Sequence, residues 1–105
     1  MQERIIEYSF MKFLTGLKSI KLSAEYVHEA DDTITAWTDE LNISTNAEDY
    51  ETARAKLIKA VREFSDFYFE DIEDWYTHNP DLFIYALKVK LSSGEELREC
   101  LSGQN

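Results

Sequence analysis

The chain has 105 residues, 21 acidic against 11 basic, a net charge of −10 and one cysteine. That length suits one domain with one core, and a single thiol, Cys100, excludes an intramolecular disulfide framework. An apolar share of 44% with three glycines and one proline excludes a disordered or low-complexity chain.

No apolar run reaches the roughly 18 residues that span a bilayer. The charged start Met1-Gln-Glu-Arg lacks the apolar block of a secretory signal. The expected setting is the cytoplasm, with no membrane partner. Charge is unevenly spread: residues 1–22 hold four basic and two acidic groups, residues 23–81 sixteen acidic and four basic, and residues 82–105 three of each. The middle segment would repel a phosphate backbone, so no direct nucleic-acid binding is expected there. It would attract and steer a basic protein, although acidity also serves plain solubility.

In chain order, Ile6, Phe10, Phe13, Leu14 and Leu17 recur at steps of three and four, which predicts a helix over 4–17 with Gly16 near its end. From Lys18 the period shortens. Ile20, Leu22, Ala24 and Tyr26 alternate with Lys21, Ser23 and Glu25 as in a half-buried strand. Asp31-Asp32 supplies a turn, and Thr33 to Trp37 returns as the second strand of an antiparallel hairpin. Leu41 and Ile43 are expected to prolong that strand through a bulge at Asp39-Glu40.

Asp49 is placed to cap a helix, because its carboxylate can accept from the free amides of the first turn. Ala53, Leu57, Ala60, Val61, Phe64 and Tyr68 then form an apolar stripe that continues through Ile72, Trp75 and Tyr76. A helix over about 50–76 is expected, either continuous or broken near Phe69. Asn79-Pro80-Asp81 signals a new start. Residues 82–91 read as helix, while the alternation of Phe83, Tyr85, Leu87, Val89 and Leu91 leaves a strand open. Ser93-Gly-Glu-Glu96 matches a capping box ahead of a last short helix over 95–101, closed by Gly103.

With these elements placed, residues 20–64 resemble the HicB family of antitoxin-like domains. The resemblance rests on Ala36, Glu40-Leu41, Ala47-Glu48-Asp49, Thr52-Ala53, Leu57 and Ala60-Val61. Ala47 and Thr52 stand where that family usually has glycine and glutamate. The resemblance implies a hairpin-led sheet with one helix across it, and binding to a small basic ribonuclease toxin of the HicA type. The short, neutral C-terminal 25 residues do not support carrying over an operator-binding module.

The expected architecture is therefore a single α+β domain over 1–105. It has a small antiparallel β-sheet packed against a long α-helix, with additional N- and C-terminal helices. Its HicB-like core covers about 18–76 and a C-terminal helical extension about 80–102.

The densest chemical feature is an acidic, aromatic run with no lysine or arginine between Glu63 and Leu87. Like charges at three- and four-residue helical steps repel, so such a run points to an external basic partner. The residues expected to bind it are Glu63, Asp66, Glu70, Asp71, Glu73, Asp74, Trp75 and Tyr76, the last two as aromatic anchors. A solvated face over a buried stripe is the alternative.

His28 and His78 have no second ligand at metal-binding spacing, and no calcium-loop, phosphate-loop or nucleophile-elbow motif is present. No enzyme activity, cofactor or metal is expected. The leading function is an antitoxin-like or inhibitor-like module that covers a basic partner. A self-associating assembly protein, a homodimer included, and a small-ligand or divalent-metal regulator stand as alternatives.

Overall fold

The computed structural model describes residues 2–103, with side chains from Tyr8 onward. The stripe residue Ile6 therefore lies outside the described side chains. The elements run α1 (Gln2–Lys18), β1 (Glu25–His28), β2 (Ile34–Thr38), β3 (Ile43–Ala47), α2 (Tyr50–Glu70), α3 (Ile72–His78), α4 (Phe83–Leu91) and α5 (Gly94–Cys100). The fold is α+β.

The three strands form an antiparallel meander in the order β1-β2-β3. Tyr26 faces Ala36 in the first pair and Ala36 faces Thr45 in the second. The tight turn after β1 is made by Asp32 at φ 67, a left-handed conformation that aspartate tolerates. Asp31 fixes its other side by accepting from the Thr33 amide at 3.1 Å. The expected strand over 20–26 pairs in the sheet from Glu25 onward. Leu22 and Ala24 are buried as the alternation requires, but the Ser23 amide donates to the Glu40 carboxylate at 2.6 Å rather than to a neighbouring strand.

The expected bulge at Asp39-Glu40 is instead a full turn. Asn42 takes φ 54 and its amide donates to the Asp39 carbonyl at 3.2 Å. Leu41 is buried inside that turn and Ile43 begins a third strand running back along β2. Asparagine is among the few residues that adopt such a φ readily, so the reversal falls on Asn42. Ala47, at the position the HicB resemblance gives to glycine, ends β3 without a positive φ.

α2 crosses the sheet. Its N-cap is Asp49, in extended conformation, whose carboxylate accepts from the Thr52 amide at 2.8 Å. Ala53, Leu57, Val61, Ser65 and Tyr68 form its buried side. The first three join Ile34, Ala36 and Ala47 from the sheet and Val89, Leu97 and Leu101 from the C-terminal helices in one core.

Residues 83–91 are helical, with Ala86, Lys88 and Val89 buried. Buried positions at steps of two and one do not follow strand alternation. A 3-10 turn at Pro80–Leu82 leads into α4. The capping box closes the start of α5, with Ser93 Oγ accepting from the Glu96 amide and Glu96 accepting from the Ser93 amide.

Lys88 is buried, and its ammonium donates to the Lys18 carbonyl at 2.8 Å. A cation at that position satisfies an end carbonyl of α1 and suits its negative pole. Gly16 lies inside the last turn of α1, which runs on to Lys18.

Candidate partner-binding face

The long apolar stripe breaks once. Asp71, at φ −131 and ψ 56, ends α2 and caps α3. A straight helix would set residues 64 and 75 about 16 Å apart along its axis. The bend brings the Trp75 ring to 6.3 Å from Phe64 and 5.9 Å from Tyr68. Trp75 is half-buried as a result, an inward wedge between the two helices.

Tyr68 is the centre of this packing. It is fully buried, its ring also meets Phe69 and Phe83, and its hydroxyl donates to the Asn79 carbonyl at 3.0 Å. Burial pushes its phenol pKa up, with a smaller contribution from Tyr76. α2, α3 and the approach to α4 are thus clamped by one side chain.

Outside the clamp lies an open, largely apolar groove of about 590 Å³ lined by Ile72, Glu73, Tyr76, Thr77 and Phe83. Tyr76 is exposed and meets Phe83 edge-on at 5.6 Å. Phe67 and Ile72 are also exposed. Sequence reasoning singled out Tyr76 but not Ile72 or Phe83 as a groove wall. Ile72 belongs to the apolar stripe and Phe83 to the 82–91 segment, but no pattern joins them, because the groove exists only after the chain folds back at Asp71.

The acids divide between the two helices. Glu63, Asp66 and Glu70 belong to α2, Asp71 is the hinge, and Glu73 and Asp74 open α3. All six are exposed. Asp66 meets Lys90 at 3.1 Å and Asp74 meets His78 at 3.3 Å. Among the described residues, Glu63, Glu70, Asp71 and Glu73 have no ion-pair partner.

Glu73 and Asp74 have a local reason to be acidic, since they complement the positive end of α3. Asp71 shares that reason as the N-cap of α3, although its side chain makes no capping hydrogen bond. Glu70 has the opposite: it closes α2, whose last turn carries no basic residue, where a carboxylate is unfavourable, so the local electrostatics of α2 do not explain it.

Among the described residues no group of three or more His, Cys, Asp or Glu is placed to hold a metal ion. Among the described residues no helix is long and apolar enough to cross a membrane. Cys100 is a half-buried free thiol.

Fold and face together describe a small α+β domain with an acidic, aromatic surface. A family model described as PHD_like, antitoxin of toxin-antitoxin, RelE / RelB, TA system, matches residues 2–102, and the chain belongs to that antitoxin family. A solved structure from Syntrophomonas wolfei subsp. wolfei, described as an antitoxin part of a candidate toxin/antitoxin system, is similar with a TM-score of 0.68 at 26% identity. The match covers 81% of this chain and 63% of that one, so this chain spans less than two thirds of its relative's length. No curated protein matches the chain.

Proposed function

We propose that this chain neutralises a basic toxin by laying the α2–α3 face over the toxin's positively charged surface. The observation that carries this is Glu70, an acid at the negative end of α2 that, like Asp71 beside it, has no ion-pair partner among the described residues, next to the Ile72–Tyr76–Phe83 groove. A basic surface would relieve their repulsion and the helix-end penalty together. The groove would take an apolar anchor from the toxin, since interface energy concentrates in such pockets. The sheet crossed by α2 has the architecture that the HicB resemblance implies, whereas the family that matches is the PHD_like antitoxin family of the RelE / RelB type. A small ribonuclease of the HicA or RelE kind is the toxin class this reading favours, with occlusion of its RNA-binding surface as the mechanism.

The test is co-purification with the toxin encoded beside this chain's gene, using the Glu70→Lys/Asp71→Lys/Glu73→Lys variant. Capture should be lost while far-UV circular dichroism is unchanged, and wild-type affinity should weaken as salt rises. Capture at unchanged affinity by the charge-reversed chain would remove this face as the toxin site.

A further inference from the structure

The groove outside the Tyr68 clamp is selective in what its walls can accept. Ile72 and Phe83 give it apolar surface, while Glu73, Tyr76 and Thr77 supply its side-chain polar atoms. Glu73 is exposed, and as a carboxylate it carries acceptors only. The Thr77 hydroxyl donates its proton to the Glu73 carbonyl at 2.6 Å, so that donor is already committed. Tyr76 stands edge-on to Phe83, with ring centroids 5.6 Å apart at 87°, and 52% of its surface is open.

The charge around the groove has one sign. Residues 63–87 contain no lysine or arginine. Among the described residues Glu70, Asp71 and Glu73 have no ion-pair partner, and the neighbouring Asp74 meets only His78. Asp81 is exposed on the approach to α4. A carboxylate or phosphate ligand is repelled by this field. A purely apolar side chain would satisfy Ile72 and Phe83, yet it would strip water from Glu73 and return no hydrogen bond. A long side chain with an apolar stem and a cationic tip meets both demands.

We propose that the groove is a receptor for an arginine side chain of a basic partner. The methylene stem lies against Ile72 and Phe83, and the guanidinium stacks on Tyr76 and forks onto the Glu73 carboxylate. The partner is the toxin taken to lie over the α2–α3 face, a reading on which this assignment rests, and the arginine stem is then the apolar anchor. Glu73 and Tyr76 are three residues apart on α3, so carboxylate and ring share one side of the helix. A planar guanidinium can use both at once, whereas a lysine ammonium is a compact, strongly hydrated point charge.

The test uses four capped peptides with one glycine-serine frame and one variable residue: arginine, lysine, citrulline or norleucine. Citrulline keeps the shape of arginine without its charge, and norleucine keeps only an apolar stem. Each is titrated into the labelled full chain and followed by nuclear magnetic resonance, which reads weak dissociation constants directly. The arginine peptide should shift the Tyr76 and Thr77 amides and the Phe83 ring, and its own δ protons should move upfield in the ring current of Tyr76. It should bind about two- to fivefold more tightly than the lysine peptide, with citrulline and norleucine weaker than both.

Tyr76→Leu should erase the preference for arginine over lysine. Glu73→Gln should weaken both peptides alike, by about threefold or more. Both substitutions fall at exposed positions and should leave far-UV circular dichroism unchanged.

Citrulline or norleucine binding as tightly as arginine overturns the proposal. So do shifts spread along the acids of α2 instead of the groove, and an arginine preference that survives Tyr76→Leu. A chain that dimerises alone and is dispersed by Glu73→Gln would put a second copy in the groove and also overturn it. Failure here is distinct from failure of the toxin face. A groove indifferent to arginine, with toxin capture still lost in Glu70→Lys/Asp71→Lys/Glu73→Lys, removes the anchor and keeps the face. A groove selective for arginine, with capture surviving that charge reversal, supports the arginine site and removes the face as the toxin's.

Discussion

Tyr68 ties the fold to the candidate site, and its substitution is the sharpest test of how α3 is held. Tyr68→Phe keeps the ring contacts with Phe64, Phe69, Trp75 and Phe83 and deletes the hydroxyl that donates to the Asn79 carbonyl at 3.0 Å. That carbonyl belongs to a half-buried residue, so water can partly replace the lost donor. The expected loss is about 1 kcal/mol, which for a domain of this size lowers the melting midpoint by about 4–8 °C.

Tyr68→Ala removes the ring from a site with no solvent exposure and should cost about 3–5 kcal/mol. Urea unfolding followed by far-UV circular dichroism measures both losses. Hydrogen exchange in α3 should quicken in Tyr68→Phe before the sheet amides change. If Tyr68→Ala costs less than about 1 kcal/mol, far below the range for a buried aromatic, the clamp is misassigned and α3 is held by something else.

The remaining predictions are simpler. Leu57→Ala, at the centre of the α2–sheet core with no exposure, should destabilise by about 2–5 kcal/mol in the same urea assay. Gly103→Ala should destabilise by about 1 kcal/mol or more, because Gly103 sits at φ 77 and an added Cβ would lie 2.5 Å from the Tyr26 ring. Stability should fall on acidification. Hydrogen bonds hold the carboxyls of Asp49 (from the Thr52 amide), Glu96 (from the Ser93 amide, helped by Lys18) and Asp31 (from the Thr33 hydroxyl) below their ordinary range. Their contribution is complete above that range, begins to fade as pH drops into it and is gone only below the lowered native values, which urea midpoints across a pH series will show. At alkaline pH the sign reverses. Burial raises the phenols of Tyr26 and Tyr68, so the unfolded chain ionises first and stability falls as pH climbs past the ordinary phenol range.

Much of the fold was legible because local rules and tertiary structure agree. The Asp49 cap, the Asp31-Asp32 turn and the Ser93–Glu96 box are each made by a short polar side chain bonding to nearby backbone, a preference that needs no distant partner. β3 was not legible. Its residues Ser44, Thr45 and Asn46 are polar, and the strand is specified by pairing with β2 and by the reversal at Asn42. The break at Asp71 was placed only approximately, since neither proline nor glycine marks it and the apolar period runs straight through. What fixes it is the return of Trp75 onto Phe64 and Tyr68, a tertiary contact.

The candidate site was legible as chemistry and not as shape. The acids stood out by the absence of lysine and arginine around them. Two of them, Asp66 and Asp74, turn out to have partners in Lys90 and His78, and Trp75 faces inward. The groove wall of Ile72 and Phe83 comes from two elements that meet only in the folded chain. Lys88 and Lys90 are the two polar residues of the 82–91 segment, and the role of Lys88 at the end of α1 depends on a contact 70 positions away.

The most direct test of the central claim is an amide chemical-shift map of the labelled chain on addition of the basic toxin proposed as its partner. The account predicts that shifts cluster on residues 63–77 and around Phe83 and shrink with added salt, leaving the β1–β2 hairpin unmoved. Shifts confined to the hairpin or to α5, or a map unchanged by salt, would contradict it.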